Sequence, residues 1–108
     1  MERFFLNQKK RDFSQIKIFL SDVDGVLTDA GMYYTEGGDE FKKFCTYDGM
    51  GMKLLQKSGI KVGILTSEDK QLNRRRSQKL KLDFDFHGAK DKLQIVKDLC
   101  KSEKITLN

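Results

Sequence analysis

The sequence contains no proline and no tryptophan, one histidine and two cysteines. Without proline there is no polyproline recognition segment or stiff Pro-rich linker. A single histidine excludes a His-rich metal centre. Cys45 and Cys100 lie far apart, which excludes paired zinc-type spacing and leaves free thiols or a single disulfide. Both are expected to be free buried thiols, the usual state in a reducing cytosol. No apolar run approaches the roughly 18 residues of a membrane-spanning helix. The first ten residues, Met1-Glu2-Arg3-Phe4-Phe5-Leu6-Asn7-Gln8-Lys9-Lys10, have no long apolar core and no small-residue cleavage site. They do not read as a secretory signal, and a cytoplasmic location is expected. No internal repeat or low-complexity tract interrupts the chain.

Acidic residues are in the minority, 16 against 21 lysines and arginines, for a net charge of +5. Such a balance can serve nucleic acid, but the basic residues are not interleaved with aromatics and match no nucleic-acid motif. A surface that attracts anionic metabolites fits the charge as well. With 108 residues, 38% hydrophobic and 34% charged, the chain is expected to form a single domain with one modest core.

One stretch organises the rest. Ile16-Lys17-Ile18-Phe19-Leu20-Ser21 is a short apolar run, and it ends in Asp22-Val23-Asp24-Gly25. Read as a strand over 16–22, it delivers two carboxylates to its carboxyl end, where open α/β sheets place their chemistry. Side chains alternate along a strand, so the two acids share a face while the chain stays extended. Gly25 permits a sharp turn. Three roles are open on the residues alone. The pair holds a hard cation such as Mg²⁺; or one acid is a nucleophile and the other a general acid/base; or both are turn formers.

Aromatic and β-branched residues then flank Gly37-Gly38, predicting a hairpin over Gly31–Cys45. Directly after the acidic loop, it reads as a flap or a subunit-pairing surface in preference to an ordinary sheet extension, since an exposed aromatic edge is a liability in a monomer. Asp48 to Gly59 reads as a helix with Asp48 as N-cap and Met50, Leu54 and Leu55 as its core stripe. Ile60–Thr66 is a second parallel strand, and Thr66 or Ser67 caps the next helix, Asp69–Leu80, and offers donors to an anion. Glu68, Arg76 and Lys79 form a polar group suited to reading a substrate. Leu82–Phe86 is a third strand, followed by His87, Lys90 and Lys92; the lone histidine is given no catalytic role. A lysine there can hold a transferring phosphoryl group. Asp91 caps the last helix, whose stripe is Leu93, Val96 and Cys100 with Ile95 and Leu99 beside it. Residues 1–15 read as a short helix over the sheet edge, anchored by Phe4, Phe5, Leu6 and Phe13. The order is β, hairpin, α, β, α, β, α: a parallel α/β sheet with right-handed crossovers.

Asp22-Val23-Asp24-Gly25-Val26-Leu27-Thr28-Asp29, the 31–45 hairpin, Asp48-Gly49-Met50-Gly51, Leu65-Thr66 and Gly88-Ala89-Lys90-Asp91-Lys92 occur in this order. Together they resemble the haloacid dehalogenase (HAD) superfamily, specifically its capless phosphatases of 3-deoxy-2-ulosonate 8- and 9-phosphates. The resemblance runs from about Ile16 to Asn108. It implies a Rossmann-like sheet with a hairpin flap, Asp22 as nucleophile, Asp24 as acid/base, and Mg²⁺ held by the Asp22 carboxylate and the Asp24 carbonyl. It also implies Thr66 and Lys92 on the phosphate of a phosphorylated sugar acid. Eight-carbon members usually carry Gly-Arg after the threonine. Ser67-Glu68 here, with Arg76 and Lys79, looks like members acting on nine-carbon acids. Similar members are homotetramers joined through their hairpins. Those members also carry a later Gly-Asp-Asp strand that completes the metal site, which this sequence lacks. The expectation is therefore a partial phosphatase domain without the C-terminal strands, leaving the first strand as an exposed apolar edge. The alternative is a non-catalytic oligomerisation module.

Overall fold

A computed structural model describes residues 13–107. The expected helix over residues 1–15 falls mostly outside them; within them, Phe13–Gln15 forms a single 3₁₀ turn. Three parallel strands make the sheet: β1 (Ile18–Ser21), β4 (Lys61–Leu65) and β5 (Phe84–Phe86), in the order β1-β4-β5. Strands β2 (Tyr33–Tyr34) and β3 (Glu40–Phe41) form a separate antiparallel pair. Helices α1 (Thr46–Lys57), α2 (Gln71–Leu80) and α3 (Lys92–Ser102) complete the expected α/β order.

The central strand β4 reads Val-Gly-Ile-Leu over its last four residues, all buried, as befits a parallel strand covered on both faces. It pairs with β1 from Ile18↔Lys61 to Ser21↔Ile64 and with β5 from Gly63↔Phe84 to Leu65↔Phe86. The core cluster is Val23, Leu27, Met52, Val62 and Ile64, with Phe44, Leu55, Leu80 and Leu82 packed against it. Two of these residues, Val23 and Leu27, belong to the loop after β1, so that loop is part of the core. As anticipated, β1 is an apolar edge: among the described residues it pairs with β4 alone, and Phe19 is 43% exposed. Along β1, an open groove of about 850 Å³ runs between Ile16, Ile18 and Leu20 and the α3 residues Val96 and Leu99.

Several local expectations are corrected. Strand β1 stops at Ser21 because Asp22 Oδ1 accepts the Val23 N–H at 2.8 Å, offering the backbone a local partner in place of the ladder. Helix α1 begins two residues before Asp48, with Cys45 as N-cap and no side-chain cap bond. Asp48 instead sits in the first turn, where its charge favours the helix dipole. The buried face also differs from the expected one: Gly49 and Met52 are buried, while Met50 and Leu54 are exposed. Helix α2 begins at Gln71 after Lys70, so neither Thr66 nor Ser67 caps it. In α3 Leu99 is the buried residue and Leu93 is exposed. Its cap is the expected one: Asp91 Oδ1 accepts the Gln94 N–H at 3.1 Å. Cys45 is exposed rather than buried, and both cysteines are free. No helix among the described residues is long and apolar enough to cross a membrane.

Asp83 links two elements. Its Oδ2 accepts the Val62 N–H at 2.8 Å and the Gln56 side-chain amide at 3.0 Å. These two bonds, the Val62 N–H first, hold its carboxyl below the ordinary aspartate range. A depressed folded-state value means the stabilisation is present above the unfolded pKa of about 3.9 and is lost as pH falls through the folded value. In urea titrations, wild type should therefore lose stability steadily below about pH 4, and Asp83→Asn should show a shallower acid loss. Equal acid slopes in the two proteins would refute the assignment.

Candidate active site at the carboxyl end of the sheet

The loop after β1 is folded around two atoms. The Val23 carbonyl accepts the N–H groups of Val26, Leu27 and Thr28 at 2.9 to 3.2 Å. The Thr28 hydroxyl accepts those of Gly25 at 3.1 Å and Ala30 at 3.2 Å. Gly25 sits at φ +75°, a left-handed conformation that favours glycine. Thr28 also bridges Phe44, which ties the loop to the far end of the hairpin.

Asp22 and Asp24 meet different cations on this frame. Asp22 Oδ1 lies 3.3 Å from Lys92 Nζ, contributed by the first residue of α3. Asp24 Oδ1 accepts from Lys42 Nζ at 2.9 Å. The two carboxylates remain about two-fifths exposed, open to solvent and to a ligand. Thr66 follows β4 and is buried; its N–H bonds the Phe86 carbonyl, its own carbonyl accepts from Ala89, and its hydroxyl oxygen accepts the Glu68 N–H at 3.2 Å. The hydroxyl hydrogen stays available to a further acceptor.

Within the chain, the three residues expected to read a substrate have different surroundings. Glu68 Oε2 lies 2.5 Å from Lys42 Nζ. Arg76 turns instead to the base of α1, where it donates to the Cys45 carbonyl at 3.1 Å and stacks on the Phe44 ring at 5.5 Å. Lys79 is exposed.

Lys42 is the residue that the sequence analysis missed. Its side chain is 1% exposed, and it contacts Asp24, Glu68 and, at 3.5 Å, Asn73 Oδ1. Burial works against its charge, but the hydrogen bonds to Asp24 and Glu68 outweigh that and hold its pKa above the ordinary lysine value. A signal was present. Alternation along Glu40-Phe41-Lys42-Lys43-Phe44 places Lys42 on the face of Phe44, which packs on the core. The apolar Phe41 faces out and is half exposed.

The donor set suits a hard divalent cation in part. The Asp22 carboxylate, whose second oxygen has no hydrogen-bond partner among the described residues, and the nearby Asp24 carbonyl are both oxygen donors, as Mg²⁺ prefers. Two protein oxygens leave the remaining positions to water and phosphate. Among the described residues no cluster of three or more acidic, histidine or cysteine side chains is formed.

No protein-family model matches the chain. It is 35% identical over 97 residues to the 3-deoxy-D-manno-octulosonate 8-phosphate phosphatase KdsC of Haemophilus influenzae, covering 90% of this chain and 54% of that protein. The KdsC of Escherichia coli K12 is 34% identical over 84 residues, covering 78% of this chain and 45% of its own length. The chain thus spans about half the length of the curated relatives it matches. Among solved structures, the Moraxella catarrhalis 3-deoxy-D-manno-octulosonate 8-phosphate phosphatase, in complex with magnesium, phosphate and KDO, superposes with a TM-score of 0.80 at 36% identity. That match covers 86% of this chain and 53% of the other. The cobalt-bound Haemophilus influenzae enzyme gives 0.76 at 37% identity, covering 85% of this chain and 54% of the other.

Proposed function

Since this chain belongs to the haloacid dehalogenase superfamily, among its sugar-acid phosphatases, we propose that it carries the nucleophile-bearing half of a Mg²⁺-dependent phosphatase acting on a 3-deoxy-2-ulosonate phosphate. The observation that carries this reading is the meeting of Lys92 Nζ with Asp22 Oδ1 at 3.3 Å, across 70 positions of sequence. A carboxylate and an ammonium so placed serve a nucleophile and the phosphoryl group it attacks.

In this mechanism an Asp22 oxygen attacks phosphorus, the P–O bond to the sugar breaks, and Asp24 gives its proton to the departing oxygen. The aspartyl-phosphate is then opened by a water whose proton returns to Asp24, releasing phosphate and restoring Asp22. Lys92 balances the charge on the phosphoryl oxygens, and the Thr66 hydroxyl donates to one of them. Mg²⁺, held by the Asp22 carboxylate and the Asp24 carbonyl, supplies further charge neutralisation when bound.

The relatives' names support an eight-carbon 8-phosphate. Ser67-Glu68 supports a nine-carbon 9-phosphate, because a glutamate stands shortly after Thr66 where the eight-carbon members usually carry an arginine. The assay is phosphate release from both esters with magnesium and with EDTA. Release that EDTA stops, with kcat/KM at least tenfold higher for the nine-carbon ester, is the expected result. A preference for the eight-carbon ester would overturn the chain-length assignment, and no release from either would overturn the phosphatase.

A second reading, a non-catalytic oligomerisation module, is favoured by the hairpin. Tyr33, Tyr34 and Phe41 are about half exposed or more, an apolar surface suited to pairing with other copies in a homotetramer. Under that reading sedimentation gives a tetramer that neither binds magnesium nor releases phosphate.

A further inference from the structure

The hairpin exposes its aromatics and buries a lysine. Three separate elements converge on Lys42 Nζ: the loop after β1 through Asp24 at 2.9 Å, the loop after β4 through Glu68 at 2.5 Å, and α2 through Asn73 at 3.5 Å. An ammonium so buried is tolerated only while its anionic partners are in place. The hairpin therefore seats fully only when the two carboxylates occupy these positions. Conversely, Asp24 has no other hydrogen-bonded side chain among the described residues to hold its carboxylate in one orientation. The Thr28–Phe44 bridge joins the same loop and hairpin through the backbone, two residues from Lys42.

We propose that Lys42 is a positioning residue, making the seating of the hairpin and the placement of the Asp24 carboxylate a single equilibrium. Anything that lifts the hairpin releases Asp24, and anything that removes the Asp24 charge loosens the hairpin, as thermodynamic reciprocity requires. Glu68 then acts first as the second counter-charge to Lys42, and only through it on Asp24. The kinetic arm of this inference rests on the reading of Asp24 as acid/base; the coupling itself does not.

Two measurements test it on the full chain. The first is the rate of amine acetylation at Lys42 relative to its exposed neighbour Lys43, read by mass spectrometry. In wild type Lys42 should react at least tenfold more slowly than Lys43. Asp24→Ala and Glu68→Gln should each raise the Lys42 rate at least threefold without changing that of Lys43. An unchanged Lys42 rate in both variants overturns the coupling. The second is turnover of the sugar-acid phosphate. Lys42→Met should lower kcat at least tenfold with KM within twofold, and Lys42→Arg should restore part of the loss. A Lys42→Met enzyme with full kcat, or one impaired only in KM, overturns the positioning role. If wild type releases no phosphate, the phosphatase reading fails by itself, and the acetylation rates still decide the coupling.

Discussion

Asp22→Asn is expected to reduce phosphate release by at least about 10³-fold, while leaving the fold in place. An amide oxygen is too weak a nucleophile to form the acyl-phosphate, so the two-step route closes at its first step. The replacement keeps the shape of the side chain, and an amide oxygen can still accept the Val23 N–H that Asp22 Oδ1 accepts at 2.8 Å. The loop and its buried residues Val23 and Leu27 should therefore stay packed. The measurement is single-turnover phosphate release beside the circular-dichroism melt. Activity above about a tenth of wild type would remove Asp22 from the nucleophile's place. A collapsed melt would show that the residue matters for folding instead.

The largest expected effect on stability belongs to Gly63→Ala. Gly63 lies in the middle of β4, paired on one side with Leu20 and on the other with Phe84. A Cβ at this position would lie 2.5 Å from Phe84 Cβ, 2.7 Å from its carbonyl oxygen and 3.1 Å from its carbonyl carbon. Two of these are backbone atoms of the neighbouring strand, so relief requires moving β5 rather than rotating a side chain. Interiors pack too densely to absorb such a shift, and overpacking of this kind costs about 3 kcal/mol or somewhat more. Against a total stability of roughly 5–15 kcal/mol, that loss should appear as a large drop in the urea midpoint. Gly51→Ala is the internal comparison. It lies in α1 with nothing within 4 Å of the added carbon, so it should be neutral or stabilising by up to about 1 kcal/mol. Equal midpoints for the two variants would refute the close approach of β4 and β5.

Much of this architecture was readable from the residues, for identifiable reasons. The apolar run that ends in Asp22-Val23-Asp24-Gly25 marks β1 and its loop, because an abrupt switch from buried to charged side chains admits few structures. Asp91 announces the last helix because a carboxylate N-cap is a local device that needs no tertiary context. Failures came where distant partners decide. Whether Met50 or Met52 faces inward depends on what α1 packs against, and Met52 joins the core with Val23, Val62 and Ile64 from other elements. Arg76 reads as a substrate contact by its place on α2; that it also donates to a carbonyl 31 positions earlier is a long-range contact local sequence does not announce. Lys42 was passed over because charged residues in a hairpin are ordinarily taken as solvated. Its three acceptors come from three other elements, and local sequence does not encode that convergence.

The one-sided pairing of β1 has a mechanical corollary. Among the described residues β1 is braced along one flank only, and a rod so braced bends more easily than one clamped along both; Asp22 and Asp24, proposed as nucleophile and acid/base, follow its last residue. Any strand laid against that open flank would act as a splint, stiffening the tip without touching it.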